Sequence, residues 1–269
     1  MRADLIGAAC PKLEDGSIDY SWFIFGDMSY FPNNWITAYE VDFTSLANLT
    51  LVNGSNTIDG KNWTGANAAN AATFAIQNGT GIVIAANTAN TNYFNSDRST
   101  PMIVCPLSTF IPSYSVQGHI VRVMARVLLT NCDANFEAAK VGLEDSTTPL
   151  SQNFFLNKGF IGSNNFESLS SVSSATTQIA ISSTNFTDDV IGFIFEAPNK
   201  YELWSGAYSG GFPKSFNTFR ASESMAMSLP LMRLINQPRL LLAHQTANGT
   251  GAFTLTYTHL RVEYIRKQP

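Results

Sequence analysis

Apolar residues recur at every second position through most of this chain, the period of a half-buried strand and not of a helix. In ITAYEVDF, residues 36–43, Thr37, Tyr39, Val41 and Phe43 share one side, and Ile36, Ala38, Glu40 and Asp42 share the other. The aromatic side reads as the inner one. In HIVRVMARVLLTN, Val121, Val123, Ala125, Val127 and Leu129 alternate with Arg122, Met124 and Arg126. A helix would also gather the two arginines, at i and i+4. The β-branched run and the bracketing Gly118 and Asn131 favour a strand. YSWFIFGD, TGIVIAAN, PMIVCPL, AAKVGLED, TTQIAISS, DVIGFIFEAP, KYELWSG and RLLLAHQT read as further strands. Pro198-Asn199 and Asn248-Gly249 are reversal signals between them.

The last apolar segment, AFTLTYTHLRVEYIR, changes phase. Phe253, Leu255 and Tyr257 point one way, and Leu260, Val262 and Tyr264 continue on the other parity. One extra residue near Thr258-His259 repairs the alternation, which predicts a β-bulge or a crossing between sheets. Helical signal is confined to short stretches such as NAANAATF and FRASESMAMSL. Strands do not alternate with helices. The pattern therefore predicts an all-β fold: a jelly-roll-like antiparallel β-sandwich with long inserted loops, residues 1–269 forming a single domain. Residues 55–97, rich in Asn, Ala and Thr, read as a long loop region holding a strand or two. Trp63, Phe74, Ile76 and Ile82–Ile84 interrupt its polar run.

Charge changes the picture of the surface. Asp, Glu, Lys and Arg make up 13% of the chain, against roughly 25% in ordinary soluble domains. Ser, Thr, Asn and Gln must supply the polar surface, and weak self-repulsion favours a chain buried among identical subunits. The sixteen Lys and Arg are scattered, which argues against nucleic acid as a partner. No apolar run is long enough for a membrane span, and no export leader is expected. Cys10, Cys105 and Cys132 have no paired spacing and are expected to be free thiols.

Candidate chemistry is sparse. Glu40 and Asp42 lie two residues apart on one strand face. YEVDFTS resembles the E-x-D-x-x-E pattern of carbohydrate-cleaving enzymes built on concanavalin-like sandwiches, but Ser45 stands where the last acid belongs. Retaining hydrolysis needs two carboxyls about 5 Å apart, so these two acids are expected to be surface groups without a catalytic role, with Glu40 and Asp42 as the runner-up catalytic pair. Glu14, Asp15 and Asp19 around Gly16 offer oxygens but lack the full pattern of a calcium loop. His119, His244 and His259 are far apart and form no zinc motif. No metal and no cofactor are expected. No nucleophile elbow or phosphate loop is present. Trp63, Trp204 and Tyr208, each beside polar or Gly-rich sequence, are candidate platforms for a sugar ring. The competing reading for a tryptophan is a core or loop anchor.

In texture, through these strands and Asn-, Thr-, Ser- and Gly-rich loops, the whole chain resembles structural proteins of viruses and tailed bacteriophages. That resemblance implies a non-enzymatic capsid, decoration or fibre component, located in the virion. Its partners would be identical subunits, most often in a trimer, other virion proteins and a glycan. The alternative is a carbohydrate-binding concanavalin-like sandwich or a glycoside hydrolase.

Overall fold

The computed structural model describes residues 35–86, 99–112, 114–115, 118–130, 137–149, 152–160, 164–172, 175–183, 188–196, 200–222, 235–246 and 254–266. Within them the alternating runs become strands β1 (Ile36–Asp42), β2 (Leu49–Thr50), β3 (Gly54–Ile58), β4 (Lys61–Ala66), β5 (Ala71–Gln77) and β6 (Gly81–Ala86). Then come β7 (Met102–Pro106), β8 (His119–Thr130), β9 (Glu137–Asp145), β10 (Gln152–Phe160), β11 (Asn164–Val172) and β12 (Ala175–Ser183). β13 (Asp188–Glu196), β14 (Lys200–Ala207), β15 (Thr218–Ser222), β16 (Pro238–Thr246) and β17 (Thr254–Arg266) follow.

Two antiparallel sheets result. Sheet I runs β15-β14-β13-β8-β17-β6-β5-β2, with β1 also paired to β17. Sheet II runs β12-β11-β10-β9-β16-β7-β4-β3. This is the expected all-β, jelly-roll-like sandwich, and its core belongs to one compact unit, Ile36–Pro269. The proposed single domain over 1–269 extends to residues outside the described set, as do Cys10, Cys132 and the strand expected at 20–27. Among the described residues no helix is long and apolar enough to cross a membrane.

The alternation sorts side chains as the pattern predicts. Val121, Val123, Ala125 and Val127 from β8 meet Val141, Leu143, Leu240 and Leu242 from sheet II in one buried cluster. β1 turns Tyr39 and Val41 into the same core, continued by Phe43 just after the strand. Thr37 does not share that side: it is exposed, because the register slips between Thr37 and Tyr39.

The phase change in β17 is a bulge. Pairing with β8 shifts between Tyr257 and His259, and Leu255, Tyr257, Leu260 and Val262 are all fully buried. At the same point the other edge of β17 changes partner, from β6 along Leu255–Tyr257 to β1 along His259–Tyr264. Gly81 sits against this junction at φ +115°, where a Cβ would stand 2.5 Å from the Tyr257 carbonyl oxygen. Two polar ties cross the buried interior between the sheets. The Tyr257 hydroxyl, from sheet I, donates to the carbonyls of Ala243 at 2.8 Å and Lys140 at 2.9 Å in sheet II. His244 Nδ1, from sheet II, donates to the Ile84 carbonyl at 2.9 Å in sheet I.

The expected loop region at 55–97 is more ordered than its composition implies. Its described part, up to residue 86, is two hairpins, β3–β4 in sheet II and β5–β6 in sheet I. Its small polar residues make the turns. Asp59 and Asn67 adopt positive φ. The Asn56 amide donates to the Val52 and Gly54 carbonyls, and its Oδ1 accepts from the Val52 amide. Asn is suited to this because its side chain mimics the backbone's own hydrogen bonds.

Candidate functional site

The face of sheet I turned away from the core carries three rows of side chains, each set by cross-strand register. In the first, Asp42 on β1 lies opposite His259 on β17, which lies opposite Arg126 on β8. In the second, Glu40 lies opposite Arg261, followed by Met124, Gly192, Trp204 and Phe219 across β8, β13, β14 and β15. In the third, Thr37 lies opposite Glu263, followed by Arg122, Ile194 and Glu202. The bulge at Thr258 makes the first row possible, because it puts His259 on the outer face while Tyr257 and Leu260 both point inward.

The first row is a chain of ionic and aromatic contacts. His259 Nε2 is 3.4 Å from Asp42 Oδ1. Arg126 donates from Nε and Nη2 to the two carboxylate oxygens of Asp188, at 2.8 and 2.7 Å. This forked pairing fixes the guanidinium plane. The Tyr208 ring stacks on it with its centroid 3.8 Å from the guanidinium carbon. The Asp188 hydrogen bond, more than burial opposes, holds Arg126 protonated beyond its usual range.

Asp42 also closes the turn after β1. Its Oδ1 accepts from the Thr44 amide at 2.9 Å and the Thr44 hydroxyl at 2.6 Å. Burial pushes the Asp42 carboxyl up, but the two Thr44 bonds, then His259 and Arg126, outweigh it and hold it below its ordinary value. Asp42 is therefore an ionised acceptor at neutral pH. Ser45, at the position of the missing acid, donates its hydroxyl to the Asp42 carbonyl.

The second and third rows share a network. Arg261 reaches Glu263 at 2.8 Å and Glu40 at 3.7 Å, and donates to the Thr37 hydroxyl at 3.0 Å. Arg122 donates from Nε to the far oxygen of Glu263 at 2.6 Å. The Glu263 side chain is 2% exposed, whereas Glu40 is 49% and Asp42 44% exposed. Glu263 thus anchors two arginines from below, and Glu40 and Asp42 are the acids that solvent reaches.

The turn after β14 folds back over this face. Its one-turn helix, Phe212–Ser215, is held by Ser215 Oγ, which donates to the Ser209 carbonyl and accepts from the Ser209 amide. Gly206 lies beneath it, where a Cβ would be 1.9 Å from the Ser215 carbonyl oxygen. Phe212 meets Tyr208 and His259 edge-on.

The sequence candidates divide accordingly. Glu40, Asp42, Trp204 and Tyr208 belong to this one face. Trp204 is 5% exposed and donates to Glu202 at 2.9 Å, with the more exposed Phe219 edge-on against it. Trp63 is fully buried, packed edge-on to Phe110 in the core. It is not a ligand platform: alternation along β4 points it inward despite its polar neighbours. Glu14, Asp15 and Asp19 lie outside the described residues. Among the described residues no group of three or more His, Cys, Asp or Glu could hold a metal ion. Cys105 is buried, and burial pushes its thiol up to about 12, far from a reactive thiolate. Sequence reasoning missed Asp188, His259 and Arg261. The legible signal was the outward parity of Arg126 together with the phase change at Thr258.

No family model matches the sequence, and neither does any curated protein sequence. Solved structures do match. The chain is similar to the CBM2 module of the evolved Dit of Lactobacillus casei BL23 phage J-1, at 11% identity and TM-score 0.50, covering 88% of this chain and 98% of that one. It is similar to the GH43 BlXynB protein from Bacillus licheniformis, at 9% identity and TM-score 0.53, covering 90% of this chain and 40% of that one. It is similar to a bifunctional GH43-CE protein of Bacteroides eggerthii, at 7% identity and TM-score 0.52, covering 83% of this chain and 27% of that one. The chain therefore spans less than half the length of the latter two. These likenesses are of fold; those to the GH43 proteins run against the expectation of a non-enzymatic virion capsid, decoration or fibre protein, with its virion location, trimer of identical subunits and virion partners, and correct it. Composition misled because a low share of charge bears on how a surface is solvated and not on which fold lies beneath it.

Proposed function

We propose that this chain is a carbohydrate-active β-sandwich that binds a neutral saccharide on the outer face of sheet I. The observation that carries the reading is the accessible row Asp42–His259–Arg126–Asp188–Tyr208, with Glu40 and Arg261 beside it. Carboxylates there accept sugar hydroxyls, guanidiniums donate to ring and hydroxyl oxygens, and aromatic faces stack on C–H surfaces. The groups are held by one another before any ligand arrives, which lowers the ordering cost of binding. Glu40, Asp42 and Asp188 face Arg126 and Arg261, three carboxylates to two guanidiniums, a balance that disfavours sulfated or acidic sugars. From β1 to β13 the row spans three strand spacings, roughly 14 Å, enough for a short oligosaccharide. The matched folds support the substrate class. An array of neutral and acidic oligosaccharides tests it: the expected result is retention of neutral glycans, weakened at least tenfold in Arg126→Ala. Preference for sulfated glycans, or binding indifferent to Arg126→Ala, overturns the reading.

Hydrolysis on the same face is the second reading. Glu40 and Asp42 lie two residues apart on one strand face, their Cα atoms roughly 7 Å apart, and both carboxyls are reached by solvent, the pairing of acids that glycoside hydrolysis uses. Asp42, held ionised, would act as base, with Glu40 as the second carboxyl. Reducing-end release from β-linked glycans that disappears in both Glu40→Gln and Asp42→Asn supports this reading; turnover that survives both substitutions refutes it.

A further inference from the structure

The segment that leaves Asp42 is anchored twice. On the inner side Phe43 is fully buried in the core. On the outer side the turn between β5 and β6 reaches it with three hydrogen bonds. The Gly79 amide donates to the Thr44 carbonyl at 2.7 Å. Asn78 donates from Nδ2 to the Leu46 carbonyl at 3.0 Å. The Asn78 backbone amide donates to Oδ1 of Asn48 at 2.7 Å. Thr44, Leu46 and Asn48 are alternate residues, so the tie runs along the length of the segment.

The β5–β6 turn is itself closed. The Thr80 amide donates to the Gln77 carbonyl at 2.9 Å. Gly79 takes φ +78°, a conformation that favours glycine at the third place of such a turn. Just past it, Gly81 abuts the Thr258 bulge, where a Cβ would stand 3.2 Å from the Thr258 Cα. One short turn therefore supports both the segment after Asp42 and the bulge that sends His259 outward. Thr44 links this turn to the carboxylate: its carbonyl accepts from Gly79, while its amide and hydroxyl donate to Asp42 Oδ1. Burial pushes the Asp42 carboxyl up, and these Thr44 bonds oppose it, joined by His259 from β17 and Arg126 from β8.

We propose that Asn78 is a positioning residue for Asp42: together with Gly79 it fixes Thr44, and so holds the Asp42 carboxylate where it faces a ligand. The inference rests on the reading of this face as a saccharide site, but its first readout needs no sugar. The full chain is labelled with ¹³C at the aspartate carboxyl carbons, and the Asp42 signal is assigned with Asp42→Asn and titrated by NMR. Affinity for the neutral glycans of the array is measured on the same proteins. Asn78→Ala frees Thr44, so the Asp42 midpoint is expected to rise toward the ordinary carboxylate value, in the same direction as in Thr44→Val. Neutral glycan is expected to bind about two- to tenfold more weakly. Asn48→Ala removes the acceptor of the Asn78 amide and should move both readouts the same way. Ser55→Ala deletes an exposed bond to Asn62 in the β3–β4 hairpin and should move neither. A midpoint unmoved in both Asn78→Ala and Asn48→Ala overturns the inference, even where glycan binds through Arg126. So does an equal shift in Ser55→Ala, or an unchanged affinity in Asn78→Ala where the native chain binds. A midpoint that moves in a chain binding no glycan supports the positioning role and counts against the saccharide reading alone.

Discussion

Replacing Tyr257 by phenylalanine tests whether the two sheets are held in register by a polar tie as well as by apolar packing. The ring stays and the hydroxyl goes. In the native chain that hydroxyl is fully buried and donates to two carbonyls, at 2.8 and 2.9 Å, belonging to Ala243 and Lys140, which face each other across β16 and β9. Losing one buried hydrogen bond costs about 1 kcal/mol net, and leaving acceptors under-satisfied raises the cost toward about 3 kcal/mol. The space left is a single oxygen, so the cavity contribution is small. In a unit of this size each kcal/mol moves the melting temperature by about 2–4 °C, so a fall of roughly 3–10 °C is expected. Urea unfolding followed by tryptophan fluorescence measures the change directly, and the slope with denaturant should stay constant. A change below about 0.5 kcal/mol, or a gain in stability, would show that the tie contributes nothing beyond the ring and would refute the reasoning.

Gly81→Ala forces a Cβ to within 2.5 Å of the Tyr257 carbonyl at φ +115°, and should destabilise by about 2 kcal/mol or more in the same urea assay. Glu263→Gln removes the charge that Arg122 and Arg261 share, with an expected loss of roughly 3 kcal/mol by thermal or urea unfolding. Asp42 is held below its ordinary value, so its contribution is present above the unfolded-state value of about 3.9 and is lost as pH falls through the lower folded value. Asp42→Asn should therefore flatten the acid limb of a stability–pH curve below about pH 4 and leave its neutral limb parallel to wild type. Cys105, with its thiol pushed up to about 12, should resist maleimide at pH 8 in the native chain and react on unfolding, as peptide mapping by mass spectrometry would report.

The order of apolar and polar residues by itself determined the local fold. Period two from Tyr39 to Phe43 and from Val121 to Val127 specified the core-facing sides, with Thr37 the exception where register slips, because pleating sends successive side chains to opposite faces. The phase slip at Thr258 was legible for the same reason: a buried strand cannot change parity without an extra residue. What pairs with what was not legible. Glu40 and Asp42 are two residues apart, but the partners that give them chemical context, Arg261 and His259, lie over two hundred positions away and arrive only through β1–β17 register. Arg126 and Asp188 meet through β8–β13 adjacency in the same manner. Trp63 shows the converse: its polar neighbours suggested a surface, and alternation within a paired strand buried it. Local sequence encodes which way a side chain points, since that depends on the residue's own strand. Tertiary structure alone decided which charges share a face, since that depends on strand order and register, set by the packing of the whole core.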